Sequence, residues 1–375
     1  MRILTVTHYQ PPHWGGIENT AAALHGCFQR LGHEAVWLSS DLPPAPAVRA
    51  QVRVPASDLP YNVLGVAYPL WGARAAAAMR RWVQWCDVVH PHDCLYPGTL
   101  LALRWARRLG KPLVLTQHAG PWPFFHSAVL RAAQLGAYRT LGLAVHRRVA
   151  QATFSTRTAQ SWFAARVRYA LPPRFIGNGV DAGMFFHGDA DARQAARQRR
   201  GLPARRRIAL YVGRFLSMKG LPVIEQLARR LPDTLFVLHG AGPVNPSSWG
   251  LPNVAVVRYA GQDVLRDYYW ASDVMILPSA AEGFPLVVME AMACGCPAIV
   301  SPHTYAAWDT GREHFLVAEP GPTADAIAEL LAAPQGALEP EARGAISAYA
   351  RAQWDWQRAA RAYVELFETL RAGAG

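Results

Sequence analysis

Lysine is almost absent from this chain of 375 residues. Of 38 basic residues only Lys111 and Lys219 are lysines, so chemistry that needs a lysine amine, such as a Schiff base with pyridoxal phosphate, has two positions to choose from. Cysteine is scarce as well. The five, at 27, 86, 94, 294 and 296, form neither a C-x-x-C pair nor a disulfide framework, which points to a reducing compartment. No uninterrupted apolar run approaches the ~18 to 20 residues that cross a bilayer. The first run, ILTV, is too short for a secretion signal, so a cytoplasmic protein is expected. Also missing are G-x-G-x-x-G, which argues against a nicotinamide-binding unit, and any signature of nucleic-acid recognition. The length exceeds what one core usually serves, so two domains are expected.

What is present is easiest to interpret in DVMILPSAAEGFPLVVMEAMACGCPAIVS, residues 273–301. The pattern predicts a short buried strand over 273–277, a loop over 278–282 and a helix over 285–294 that is apolar almost all round. Glu290 interrupts that helix. A helix without a polar face is buried, and a buried carboxylate is costly unless paired. Glu290 is therefore either a core glutamate satisfied by a nearby arginine or a crevice carboxylate that accepts hydrogen bonds from a polyol such as ribose. In open α/β sheets ligands bind beyond the carboxyl ends of the strands, where helix N-termini offer N–H groups to anions. Gly283, Phe284 and Pro285 form such a corner, glycine permitting close backbone approach and proline suiting a first helical turn.

Upstream, IALYVGRFLSMKG (208–220) predicts a strand, a turn at Gly213, and Arg214 and Lys219 just ahead of a helix from about residue 221. Two cations at a glycine-rich strand end suit a diphosphate, the arginine as a planar fork and the lysine as a mobile point charge. The plainer reading is a pair of solvated loop charges. At the amino end MRILTVTHY predicts a strand, and a helix follows over 19–30, closed by Gly32. The glycine pair Gly15 and Gly16 leaves backbone N–H groups open at that helix start, and Glu18 has the position of a helix cap. In LVLTQHAGPWPFFH (113–126) a strand over 113–116 leaves His118 just past its end. Trp122, Phe124 and Phe125 crowd the same loop, either packed inward or presented to an acceptor or a membrane. His90, His92 and Asp93 are metal-ligand types, but they are crowded at one strand end with no second cluster to complete a coordination shell, and no metal is expected.

The E-x7-E spacing of Glu282 and Glu290, set in EGFPLVVMEAMACGCPAIVS, closely resembles the donor site of the retaining glycosyltransferases of family 4. The GGIE loop at residues 15–18 matches that family's first loop. The resemblance implies an α/β protein of the GT-B fold, two Rossmann-like α/β/α domains facing across a cleft. It implies an acceptor-binding domain over 1–180 and a nucleotide-sugar-binding domain over 181–353, with RFIGNGVD (174–181) as the hinge. YARAQWDWQRAARAYVELFETL is then one long amphipathic helix whose end, from about 354 to 375, packs back on the first domain. It further implies that Arg214 and Lys219 hold the donor diphosphate, with Gly15, Gly16, Gly213, Gly283, Phe284 and Pro285 around it. Glu290 would hold the ribose, Glu282 the sugar hydroxyls, and His118 would lie beside the donor sugar. The implied activity is transfer of a hexose-type sugar, with retention, to a glycan or lipid-linked acceptor in cell-envelope, exopolysaccharide or glycolipid assembly, without cofactor or metal. A catalytically silent nucleotide-sugar-binding subunit is the alternative. The family's glycine pair is missing from SPHTYAAWDTGREHFLVAEPG, which bears on the donor-sugar contacts.

Charge is unevenly divided. Residues 1–180 carry 19 Lys and Arg against 6 Asp and Glu, and residues 181–375 carry 19 against 20. The segment 127–150 sets Arg131, Arg139, Arg147 and Arg148 along an apolar helix, which suits peripheral contact with an anionic membrane at the inner face. Plain solubility is the other reading.

Overall fold

A computed structural model describes all residues except 14, 45, 47, 65–67, 121–126, 259–260, 280–281, 309, 320, 322, 333–339 and 374–375. The chain divides into two compact units, residues 1–178 with 356–375 and residues 179–355.

The first unit is built on short apolar strands: Arg2–Val6 (β1), Glu34–Ser40 (β2), Gln51–Val54 (β3), an antiparallel scrap of Ala56–Ser57 (β4) with Leu70–Trp71 (β5), Val88–Pro91 (β6), Val114–Gln117 (β7), Gln151–Phe154 (β8) and Arg174–Phe175 (β9). The order β3-β2-β1-β6 is parallel throughout, as is β7-β8-β9. Parallel bridges Val89↔Leu113 and His92↔Thr116 join the two pieces. Strands β6, β7 and β8 are buried at every position, as a parallel sheet covered on both faces requires. On one face the helices Ala73–Trp85, Pro97–Arg108 and Arg157–Ala164 and the segment Tyr138–His146 share a core, in which Met79, Ala102, Leu143 and Phe163 meet Leu4, Leu115 and Phe154. Right-handed crossovers put helix Gly16–Arg30 on the other face, where Phe28 packs on Tyr363 and Phe367 of the helix Trp356–Ala372. The Tyr363 hydroxyl lies 2.8 Å from Thr116 Oγ1 and 3.3 Å from Thr153 Oγ1, which anchors the chain's last helix to this unit.

The second unit has six parallel strands, Arg207–Val212 (β10), Thr234–His239 (β11), Val254–Val257 (β12), Val274–Leu277 (β13), Ala298–Val300 (β14) and Leu316–Val317 (β15), in the order β12-β11-β10-β13-β14-β15. The winding reverses between β10 and β13, so the crevice of a doubly wound sheet opens beyond the ends of those two strands. Helix Leu286–Ala293 follows β13. It is apolar almost all round because most of it is covered: Val288, Met289, Ala291, Met292 and Ala293 are fully buried, while Leu286, Val287 and Glu290 are half-buried.

Two expectations need correction. The carboxyl-terminal segment is two helices, Pro340–Gln353 and Trp356–Ala372. They break where the Val180 N–H bonds to the Trp354 carbonyl at 2.9 Å and Trp354 enters an aromatic cluster with Trp308, Phe315 and Tyr349. The segment 127–150 is likewise interrupted, as Ala128–Ala137, a π-helical stretch Tyr138–Gly142, and Leu143–His146. Helix Ala190–Arg199, in the most polar stretch of the chain, is nonetheless tied into the second unit. Its Arg197 is buried, donating to the Ala271 carbonyl and to both oxygens of Asp273.

Candidate functional site

In the second unit the two motifs that the sequence separates by some sixty residues meet at the β10/β13 reversal. Gly220 has φ +85°, and a Cβ there would come within 2.7 Å of the Pro278 carbonyl carbon; only glycine lets the loop after β10 lie against the loop after β13. Ser279 Oγ spans the same seam, 3.4 Å from the Met218 carbonyl. Across it the Lys219 ammonium lies 2.7 Å from both oxygens of Glu282. The pair is only partly shielded, with side chains 26% and 11% exposed. The Tyr211 hydroxyl donates to the Arg214 carbonyl at 2.9 Å, which fixes the turn after Gly213. Arg214 itself is exposed and meets no carboxylate among the described residues, so its guanidinium is available to an anion.

A third loop belongs to this edge and was not singled out from the sequence. Gly240, at φ +155°, abuts the Gly213 carbonyl, and a Cβ on Gly242 would meet the Phe215 carbonyl oxygen at 2.5 Å. The Phe215 N–H bonds to the Ala241 carbonyl at 2.9 Å. The signal was there in H-G-A-G directly after an apolar strand.

Glu290 stands apart from the lysine pair. Among the described residues its one hydrogen-bond partner is the buried Tyr269 hydroxyl, which donates to Oε2 at 3.0 Å. No arginine neutralises it among the described residues, and burial pushes its carboxyl up to about 7, the tyrosine hydrogen bond opposing. Phe284 packs on Trp308 with ring centroids 5.4 Å apart. Pro285 is the residue that caps helix Leu286–Ala293, one position before the predicted first turn, and supplies no side-chain cap.

In the first unit a second group gathers at the carboxyl ends of β1, β6 and β7. Gly15 caps helix Gly16–Arg30, which begins three residues before the predicted start. Glu18 does more than cap. It is buried, 3.2 Å from His8 and 3.5 Å from His13, and its carboxylate fills the space beside Gly15 where a Cβ would stand. His118 has both ring nitrogens engaged, Nε2 at 2.8 Å from His92 Nδ1 and Nδ1 at 3.3 Å from Ser155 Oγ. Its backbone N–H donates to Asp93 at 3.2 Å. Burial lowers the His118 ring to about 4 and His90 to about 3, so both imidazoles are neutral near pH 7. Asp93, with φ +62°, is pushed up to about 7 by burial against the N–H groups that bond to it. His90, His92 and Asp93 are thus spent on a buried hydrogen-bond network. Among the described residues no three His, Cys, Asp or Glu side chains are grouped to hold a metal. The Trp122, Phe124 and Phe125 loop lies outside the described residues.

Two parallel doubly wound sheets with polar loops beyond the strand ends define a class of nucleotide-binding α/β proteins. The comparisons narrow it. A family model described as glycosyltransferase family 4 matches residues 14–183, and one described as glycosyl transferases group 1 matches residues 206–333. The chain belongs to this glycosyltransferase family. It is 34% identical over 52% of its length to D-inositol 3-phosphate glycosyltransferase 2 of Catenulispora acidiphila, and 29% identical over 49% to the putative teichuronic acid biosynthesis glycosyltransferase TuaC of Bacillus subtilis. Those matches span 51% and 48% of the two relatives, so the chain spans about half the length of each. Among solved structures, sucrose-phosphate synthase from Thermosynechococcus elongatus superposes with a TM-score of 0.77 at 20% identity, covering 99% of both chains. HepE of Anabaena in complex with UDP and glucose gives 0.76 at 17% identity, covering 98% of this chain and 100% of its own. These likenesses establish the GT-B fold.

Proposed function

We propose that this chain is a retaining, metal-independent glycosyltransferase that moves a hexose-type sugar from a nucleotide-sugar to a glycan or lipid-linked acceptor in cell-envelope or exopolysaccharide assembly. The observation that carries this is the seam at the β10/β13 reversal, where Lys219 and Glu282 pair across loops that Gly220 allows to touch. A diphosphate draws Lys219 toward itself and frees Glu282 for the sugar hydroxyls, while Arg214 and the amides near Gly213, Gly283 and Phe284 spread the charge of the leaving group. Glu290 accepts from the ribose. Lys219 and Arg214 supply the cationic charge that a divalent ion would otherwise bring. In the step itself the bond from the anomeric carbon to phosphate breaks, the bond to the acceptor oxygen forms on the same face, and the acceptor proton passes to the departing diphosphate. His118, with neither nitrogen free, contributes through the loop it fixes. The relatives' names, an inositol phosphate glycosyltransferase and a putative teichuronic acid biosynthesis enzyme, support an envelope role. The acceptor belongs to the first unit, and the arginines of 127–148 bring that unit to an anionic membrane.

Thermal-shift titration with UDP, GDP, ADP and dTDP tests the donor site, because a ligand of the folded state raises its stability by about 2.7 kcal/mol at a hundred times Kd. One nucleotide should stabilise the protein, and Lys219→Ala should abolish the effect. No shift with any of them at millimolar concentration rejects the reading. A shift without sugar transfer from the matching nucleotide-sugar favours the silent subunit, and the anomeric coupling constant of any product decides retention.

A further inference from the structure

The helices on one face of the first unit's sheet, those sharing the core around Met79, Leu103 and Phe163, carry charge of one sign only. Residues 73–85, 97–108 and 157–168, together with 128–148, a segment that joins this core through Tyr138, Leu143 and Val145, hold thirteen arginines and no lysine, aspartate or glutamate, and the whole chain has no carboxylate between Asp93 and Asp181. The unit's acidic residues are elsewhere: Glu18 is buried with histidines, Asp87 pairs with Arg2, and Glu365 and Glu368 ride on the last helix. Ordinary solvated surfaces mix the two signs.

Tryptophans are interleaved with these arginines in a regular way. Arg80 and Arg108 each lie 5.4 Å from the Trp105 ring, Arg81 5.6 Å from Trp82, and Arg166 4.6 Å from Trp162. The three rings are half-buried against the core beneath. Beside Trp105, Arg104, Arg107 and Arg108 line an open hollow of about 480 Å³ floored by Leu100 and Leu103. A third feature is apolar. Helix Ala128–Ala137 has no buried residue at all and no acidic residue, with Val129 76% exposed and, just beyond it, Leu141 40% exposed.

We propose that this entire helical layer, and not the 127–148 segment alone, is a docking surface for an anionic lipid bilayer. The layer's charge opposes a cationic partner and favours an anionic one. Tryptophan bodies capped by guanidinium heads suit the headgroup boundary, where one end of a side chain meets apolar matter and the other meets phosphate. The unburied apolar helix gives hydrocarbon something to cover. A polyanion in solution, such as a nucleic acid or an acidic glycan, would satisfy the arginines and leave Val129 and Leu141 in water. This deepens the membrane contact proposed above for one segment, and it stands or falls separately from the sugar chemistry.

The test is co-sedimentation of the full chain with vesicles of phosphatidylcholine alone and of phosphatidylcholine with phosphatidylglycerol. Binding to the anionic vesicles only is expected, together with its loss in about 1 M salt, where the screening length falls to about 3 Å. Each of Arg80→Gln, Arg104→Gln and Arg107→Gln should weaken binding about fivefold, the effect of about 1 kcal/mol per basic residue near such a surface, and the triple variant about a hundredfold. These side chains are exposed, so the variants should keep the thermal midpoint and nucleotide response of the parent. Val129→Asp should weaken binding in low salt as well. Equal binding to both vesicle types, no binding to either, or undiminished binding by the triple variant overturns the proposal, as does binding to duplex DNA or an acidic glycan with none to anionic vesicles. Failure here with the nucleotide shift intact removes the membrane surface and leaves the donor site; the reverse outcome removes the donor site alone.

Discussion

Replacing Glu290 by glutamine should stabilise the free protein at pH 8 and leave it nearly unchanged at about pH 5. Among the described residues its carboxyl has one partner, the Tyr269 hydroxyl at 3.0 Å, and burial raises it from the ordinary 4.5 to about 7. An acid raised in the folded state keeps its proton there between those two values while the unfolded chain has released its own. Stability therefore falls as pH climbs from about 4.5 to about 7 and is level above that. The full gap corresponds to about 3 kcal/mol. Residual solvent contact at Glu290 reduces this, and the unpartnered amide of glutamine costs about 1 kcal/mol more, so a net gain of about 1 to 2 kcal/mol at pH 8 is expected. The assay is amide hydrogen exchange over Leu286–Ala293, comparing variant and parent at the same pH so that intrinsic exchange cancels. The protection difference should grow between pH 5 and pH 7.5 and then level off, while the nucleotide-induced thermal shift at pH 8 disappears. A difference that is flat with pH would refute the reasoning, because it would mean that Glu290 is as ionised in the fold as in the open chain.

Two further outcomes rest on the same physics. Gly220→Ala should cost at least about 1 to 2 kcal/mol, since its φ of +85° is strained for alanine and its Cβ meets the Pro278 backbone; urea unfolding measures it, and weaker nucleotide binding should accompany it because the loops are pushed apart. In the first unit acid should act in the opposite sense to Glu290. The histidines at 8, 90, 118 and 146 are held down at about 3 to 4 by burial, and His92 is also well below its ordinary value. Bases lowered in the fold contribute stability that is complete above about 6.5 and drains away as pH falls toward 4. Asp93, raised to about 7, works the other way but is one group against five. Hydrogen exchange at pH 5 should show β1, β6 and β7 losing protection before β10 and β13 do, and uniform loss across both units would contradict it.

How far the sequence could be read depended on whether partners were near each other along the chain. The strand preceding Gly213, the helix carrying Glu290 and the helix ends near Arg30 and Leu221 follow from local periodicity and punctuation, and the structure agrees to within a residue or two. The contact of Gly220 with Pro278 could not be read, because it depends on β10 and β13 being neighbours, which sheet order decides. His118 was visible as a post-strand histidine, but the fact that His92 and Ser155 occupy both its nitrogens belongs to the β6-β7-β8 pairing. Glu18 looked like a cap because the histidines that hold it come from the loop ahead of its helix. The carboxyl-terminal break was masked by helical periodicity running through Trp354, a residue whose neighbours Trp308 and Phe315 lie some forty residues upstream.

The E-x7-E spacing shows the limit most clearly. Two glutamates eight residues apart read identically as side chains, yet one lies in the loop before the helix and the other on the helix itself. The loop position lets Glu282 meet an ammonium at 2.7 Å. The helix position sets Glu290 against the Tyr269 hydroxyl, and desolvation favours its proton. Under the proposed function the two positions serve different ends, one carboxylate trading its cation for a sugar and the other accepting from ribose hydroxyls. Environment, not residue type, divides the roles. That division is why the pH response of Glu290, rather than the loss of either glutamate, is the sharper probe of the site.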